Sequence, residues 1–149
     1  MDLLRGILDT DRPSGVGIYI DGPNVFRDEF DTDLDEIRAL AGEYGPIAVA
    51  RVYLDEHATP ALVQAAEAHG YEVVVTSGDV DVRLAIDATT GILEDRLDTL
   101  VVVSRDTDFK PVLEQAGSRG ITTVAIAPGA HGRSDALRKA AHHALTLEE

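Results

Sequence analysis

Thr99-Leu100-Val101-Val102-Val103-Ser104, followed at once by Arg105-Asp106-Thr107-Asp108-Phe109, decides how this chain is read. Four aliphatic residues in succession do not alternate as a half-solvated strand would. They describe a strand buried on both faces, the mark of a parallel sheet covered by helices. Working outward, five strands are expected, at about residues 17–20, 47–54, 71–76, 99–104 and 121–127, the last four without strict alternation. Helical periodicity fills the intervals near 34–43, 60–69, 80–90, 109–118 and 134–145. Strand alternating with helix predicts an α/β fold with a doubly wound parallel sheet in a three-layer α/β/α arrangement. Pro60 suits a first helical turn, while Gly70, Gly91 and Gly120 stand where left-handed caps would close helices.

The chain's 149 residues make one compact domain, 1–149, the natural expectation. Apolar residues are 44%, charged residues 27% and mean hydropathy −0.03, as in an ordinary soluble globular protein. The aliphatic runs fall far short of the roughly 20 residues a membrane span needs. The first residues carry neither a basic head nor a long apolar middle, so a cytoplasmic protein is expected. Without cysteine there is no disulfide frame, thiolate zinc site or cysteine nucleophile.

The net charge is −14, spread along the chain, and eleven of the thirteen basic residues are arginine. That bias fits a GC-rich genome or high internal salt, and we favour the latter. At molar salt the Debye length is about 3 Å, so the negative surface does not exclude a nucleic-acid substrate.

In a doubly wound sheet, ligands bind beyond the carboxyl ends of the strands. Acids crowd that edge. Strand 1 ends in Asp21-Gly22-Pro23-Asn24, strand 3 leads through Asp79 to a helix that opens near Asp81, and strand 4 ends in Asp106 and Asp108. Carboxylates gathered with few cations are costly to ionise unless a hard cation such as Mg²⁺ or Mn²⁺ binds, and such an ion suits chemistry on a phosphate. Any one of these aspartates is adequately explained as a helix cap. Their joint placement is not. In particular, Gly22-Pro23-Asn24 is read as excluding a helix directly behind Asp21, so that a turn presents Asp21 and the Asn24 amide together.

Three stretches, Ile20-Asp21-Gly22-Pro23-Asn24-Val25-Phe26, Val80-Asp81-Val82-Arg83-Leu84-Ala85-Ile86-Asp87-Ala88 and Val103-Ser104-Arg105-Asp106-Thr107-Asp108-Phe109, resemble in order and spacing the motifs of NYN domains. These form the LabA-like, DUF88 branch of the PIN-like nucleases, and the chain looks especially like a haloarchaeal member. The resemblance implies a PIN-like sheet of strand order 3-2-1-4-5 and an acidic pocket that binds Mg²⁺ or Mn²⁺ and cleaves RNA. By that likeness Asp21, Asp81, Asp87, Asp106 and Asp108 are metal ligands, with Asn24 orienting water or substrate. Asp81 and Asp87 lie about 240° apart round a helix, so Asp87 is assigned the supporting place. Two departures stand out. Arg105 occupies a position where the family usually has glycine, and its side chain could hold a phosphate or block the pocket. Ala141-His142-His143-Ala144 stands where relatives often keep an acidic and aromatic pair.

Around the motifs, Arg83, Ser104, Arg105 and Lys110 are candidate substrate contacts, with Arg133 nearby in sequence, since basic side chains supply most affinity for nucleic-acid backbone. His131, in the loop after the fifth strand, is the one histidine placed to reach substrate; His57, His69, His142 and His143 read as structural, the last two on a helical surface. With four Tyr, three Phe and no Trp, stacking on aromatic rings is not a prominent resource. The expected activity is a metal-dependent endoribonuclease. The rivals are a non-catalytic module holding RNA or a nucleotide in the same pocket, and a hydrolase of small phosphate esters. No membrane partner is expected, and a homodimer is compatible with the sequence.

Overall fold

The computed structural model describes residues 15–26, 31–129 and 135–147. The chain runs β1 (Gly15–Asp21), α1 (Gly22–Val25), α2 (Asp31–Gly42), β2 (Ile47–Leu54), α3 (Pro60–Ala68), β3 (Glu72–Val75) and α4 (Val80–Leu93). It continues through β4 (Leu97–Val103), a 3₁₀ turn (Thr107–Phe109), α5 (Lys110–Ser118), β5 (Thr122–Ala127), α6 (Asp135–Ala140) and β6 (His143–Thr146). Among the described residues the strands form one sheet in the order β3-β2-β1-β4-β5-β6, every pairing parallel.

The unbroken aliphatic run has the reason expected of it. Val101 and Val103 belong to one core with Ile18, Ile20 and the α2 residues Leu34 and Ile37. Leu100 and Val102 belong to the opposite core with Tyr19, Leu84 of α4 and Leu113 of α5. Each face of β4 is therefore covered, and each of these four side chains contributes roughly 1.5–3 kcal/mol on burial. The result is the doubly wound three-layer α/β/α sheet, with α2 and α3 on one side and α4, α5 and α6 on the other.

Two local expectations are corrected. Asp21 is followed directly by a helical turn, α1, because Pro23 falls within its first turn, where a missing N–H and a fixed φ do no harm. Gly22 is needed there for closeness: an added Cβ would lie 2.4 Å from the Tyr53 carbonyl oxygen and 2.4 Å from a Leu54 methyl. Gly91 does not end its helix. It lies inside α4, where an added Cβ would meet the Tyr19 hydroxyl at 2.8 Å, and the left-handed residue beyond that helix is Asp95 (φ 63°). Gly70 (φ 88°) and Gly120 (φ 82°) do adopt the left-handed conformation expected of them.

The largest correction is at the C-terminus, where the helix expected over 134–145 stops at Ala140 and residues 143–146 form a sixth strand on the edge of β5. Leu137, Ala141 and Leu145 are spaced as a helix face, but Leu145 and Leu147 also alternate as a strand, and tertiary pairing decides between the two. The His142 N–H donates to Thr123 Oγ1 (2.9 Å), and the Thr123 N–H donates to His142 Nδ1 (3.0 Å), pinning the entry to β6. His142 and His143 thus lie on this junction and not on a helical surface. The order 3-2-1-4-5 is extended by one edge strand and otherwise stands.

Candidate active site

The sheet order reverses direction between β1 and β4, so the carboxyl ends of these strands open a crevice. Register brings the ends level. Ile20 of β1 lies opposite Val103 of β4, and Asp21 lies opposite Tyr53 of β2. Asp21 and Ser104 are therefore neighbours: the buried Ser104 Oγ donates to Asp21 Oδ2 (3.1 Å) and accepts from the Asp106 N–H (3.0 Å). Asp106 Oδ1 in turn accepts from the Asp108 N–H (2.9 Å), capping the 3₁₀ turn. One chain of hydrogen bonds runs from the floor of the crevice to its rim.

A cavity of about 290 Å³ opens here, lined by Asp21, Asn24, Asp55, Asp81 and Asp106 with Pro23 and Val80. Asp81, in the first turn of α4, Asp106 and Asp108 each offer a carboxylate oxygen, and these oxygens lie within 4.8 Å of one another. Among the described residues no Arg, Lys or His forms an ion pair with Asp21, Asp81, Asp106 or Asp108. The donors are all hard oxygens, as Mg²⁺ and Mn²⁺ prefer, and the cluster can bind a divalent cation.

Asp21 is costly to ionise on the floor of this crevice. It is only 6% exposed, and burial pushes its pKa up to about 6. The neighbouring Asp106 and Asp81 carboxylates push the same way, while the Ser104 hydroxyl opposes them.

The other sequence candidates separate cleanly. Asn24 stands in the cavity wall, and Arg105 neither fills that cavity nor reaches across it. The Arg105 backbone N–H (3.0 Å) and Nε (3.2 Å) both donate to Asn24 Oδ1, and Nη2 donates to the Asn24 carbonyl (2.9 Å). The arginine fork is thus a clamp on α1. Ser104, considered as a substrate contact, is 2% exposed and links Asp21 to Asp106 from beneath. Lys110 is exposed at the start of α5, and Arg83 is exposed on α4 outside the acidic cavity.

Asp87 is not brought to the cluster. It accepts from the Tyr53 hydroxyl (2.8 Å) and from Arg83 Nε (3.2 Å), with Arg51 Nη1 at 4.0 Å, and it borders a different cavity with Tyr19 and Arg51. Asp79, expected as a possible cap, holds the N-cap position of α4 without a side-chain capping bond. His131 and Arg133 lie outside the described residues.

Asp55 is the cavity residue that sequence reasoning passed over. Its signal was there to read: it is the first residue after β2, and β2 adjoins β1 at the same edge. One oxygen of Asp55 accepts from the His57 N–H (2.9 Å), the sort of turn bond that makes such an acid look purely local.

Comparison with known proteins agrees with this architecture. The chain is 40% identical over 135 residues to an uncharacterized protein of Methanocaldococcus jannaschii, a match that takes in 90% of this chain and 55% of that one. It therefore spans little more than half the length of that relative. A solved structure of a protein of unknown function from Vibrio parahaemolyticus superimposes with a TM-score of 0.76, covering 93% of this chain and 96% of that one at 20% identity, a likeness of fold. Residues 15–148 match the NYN domain, so the chain belongs to the NYN family, one branch of a nuclease superfamily with a PIN-like α/β sheet.

Proposed function

We propose that this NYN domain, taken as the single unit 1–149, is a metal-dependent endoribonuclease acting at the crevice between β1 and β4. The observation that carries the reading is the convergence of Asp81, Asp106 and Asp108 oxygens within 4.8 Å, with no described cation to neutralise them. These three would hold Mg²⁺ or Mn²⁺, with Asp21 on the floor as a further ligand and Asp55 on the wall. When bound, such an ion supplies positive charge that polarises a phosphoryl oxygen and acidifies water.

The chain's own residues do the rest. Ser104 and the Asp108 N–H fix the Asp21 and Asp106 carboxylates before substrate arrives, so little ordering remains for the reaction itself. Asn24 has its Oδ1 committed to Arg105, which leaves its amide N–H bonds as the group it can offer to a phosphate oxygen or to water. Arg105 is accordingly a positioning residue. Lys110 and Arg83, both exposed on the flanks, supply charge for neighbouring phosphates.

The test is cleavage of end-labelled single-stranded RNA in Mn²⁺ and high-salt buffer by the wild type and by Asp106→Asn, with melting curves showing both folded. The expected result is cutting by the wild type alone. Retained binding of RNA or metal without any cutting would transfer the site to a non-catalytic binding module, the reading that Arg105 in place of the family's usual glycine favours. Hydrolysis of a small phosphate ester in preference to RNA would make the enzyme a phosphatase.

A further inference from the structure

Among the described residues four large apolar side chains stand exposed, and three of them, Val75 (53%), Val82 (51%) and Ile86 (56%), line one cleft. The cleft, of about 490 Å³, lies between the end of β3 and the outer face of α4. That volume is in the range of small-molecule sites, roughly 300–1,000 Å³. Apolar side chains gathered at a concave surface mark a place where something docks.

The cleft adjoins the acidic cavity across the start of α4. Asp79 borders the cleft while Val80 and Asp81 border the cavity, so three consecutive residues form the wall between them. Asp79, exposed at the N-cap position of α4, makes no side-chain capping bond. Arg83 completes the rim, with about half of its side chain exposed.

Resting on the nuclease reading above, we propose that this cleft is a nucleobase subsite, which takes the unstacked base of the nucleotide adjoining the phosphate held in the acidic cavity. The base packs on the aliphatic wall of Val75, Val82 and Ile86, as extruded bases do against apolar side chains. Arg83 faces the sugar-phosphate side, and the Asp79 carboxylate accepts from the exocyclic amino group of cytosine, adenine or guanine, which uracil lacks. A paired and stacked duplex cannot deliver a base here, so the subsite selects single strands. A protein partner fits less well: a stable interface takes about 20–30 residues on each side, and eight line this cleft.

Two kinds of variant test this without disturbing the core. Val82→Ser with Ile86→Ser removes exposed apolar surface. Gly78→Leu fills the cleft mouth; a Cβ at Gly78 meets nothing within 4 Å, and its φ is not left-handed. The probes are fluorescein-labelled hexamers of cytidine and of uridine, and a cytidine series with one abasic ribose at each position in turn. Affinity is read by anisotropy in Ca²⁺, which neutralises the acids without the tight octahedral geometry of Mg²⁺, and cleavage is read separately in Mn²⁺.

One abasic position is expected to weaken wild-type binding about tenfold, within the range a single base contact contributes. Both variants are expected to bind the intact cytidine hexamer about tenfold more weakly and to be indifferent to that abasic position, with Mn²⁺ affinity changed less than twofold. Asp79→Asn is expected to narrow the preference for cytidine over uridine. The proposal is overturned if no abasic position matters to the wild type, or if the variants bind the intact hexamer as tightly as the wild type does. It is also overturned if the serine pair converts a dimer to a monomer and leaves RNA affinity unchanged, which would give the cleft to a second copy. If the affinity pattern appears and no RNA is cut, the nuclease reading fails and the base subsite stands.

Discussion

Asp81 and Asp87 lie on the same helix, six residues apart, and meet opposite environments. Asp87 is answered on every side: the Tyr53 hydroxyl and Arg83 contact it directly, Arg51 stands at 4.0 Å, and its side chain is 17% exposed. Asp81 accepts only from the Val82 N–H of its own helix (3.0 Å), has carboxylate oxygens of Asp106 and Asp108 within 4.8 Å, and among the described residues pairs with no cation. Residue type and helix are shared, so neither explains the difference. What separates the two is the end of the sheet each one reaches, and with it whether the fold supplies a counter-charge. An acid the fold neutralises holds the structure together, whereas acids left together invite a cation from outside.

The comparison breaks most visibly if both acids are removed in turn. Asp81→Ala is expected to lower Mn²⁺-dependent RNA cleavage at least about a hundredfold, the upper size seen even for a metal's outer supports, with the melting temperature held or raised. Asp87→Ala is expected to cost about 1–3 kcal/mol of stability in urea unfolding, since it removes the acceptor of the Tyr53 hydroxyl's hydrogen and the carboxylate that pairs Arg83 and lies near Arg51. A stable Asp87→Ala protein with lost metal binding would reverse the two assignments.

Asp21 sharpens the same contrast through pH. In the metal-free protein its pKa lies at about 6 against an ordinary 3.8, so between those values the folded state holds a proton that the unfolded chain has released. Stability must then fall as pH rises through that window and level off above it, by an amount on the order of 3 kcal/mol. Asp21→Asn is expected to abolish this slope and to be more stable than the wild type at pH 7.5 in EDTA, measured by urea unfolding at pH 4.5 and 7.5. An unchanged slope would remove Asp21 from the crowded floor. The smallest effect concerns the clamp: Arg105→Gly, the family's usual residue, is expected to cost about 1 kcal/mol through the loss of the two guanidinium bonds to Asn24, the backbone N–H bond to Asn24 Oδ1 being retained.

How legible this was in the sequence differs between sheet and site. The parallel sheet could be read because burial on both faces writes itself into consecutive residues such as Leu100 to Val103. Strand β6 could not, because Leu145 and Leu147 satisfy a strand as well as Leu137 and Leu145 satisfy a helix, and only the exposed edge of β5 decides. The acids ending β1 and β4 were readable from position. Asp55 was readable in the same way, as the acid directly after β2, but its local turn bond to the His57 N–H disguised it; the separation of Asp87 from the cluster was not, since it depends on a hydroxyl, Tyr53, that is 34 residues away in sequence. The clamp of Arg105 on Asn24 spans 81 residues and left only the bare fact of an arginine in an unusual place.

The most direct test of the account is a calorimetric titration of Mn²⁺ into the wild type, Asp81→Asn and Asp87→Asn, each checked for folding. If the unanswered acids are the cation site, Asp81→Asn abolishes measurable binding, while Asp87→Asn, which keeps a hydrogen-bond acceptor for Tyr53, binds within about twofold of the wild type. Equal losses in both variants, or a loss confined to Asp87→Asn, would contradict the division of roles along this helix and with it the placement of the site.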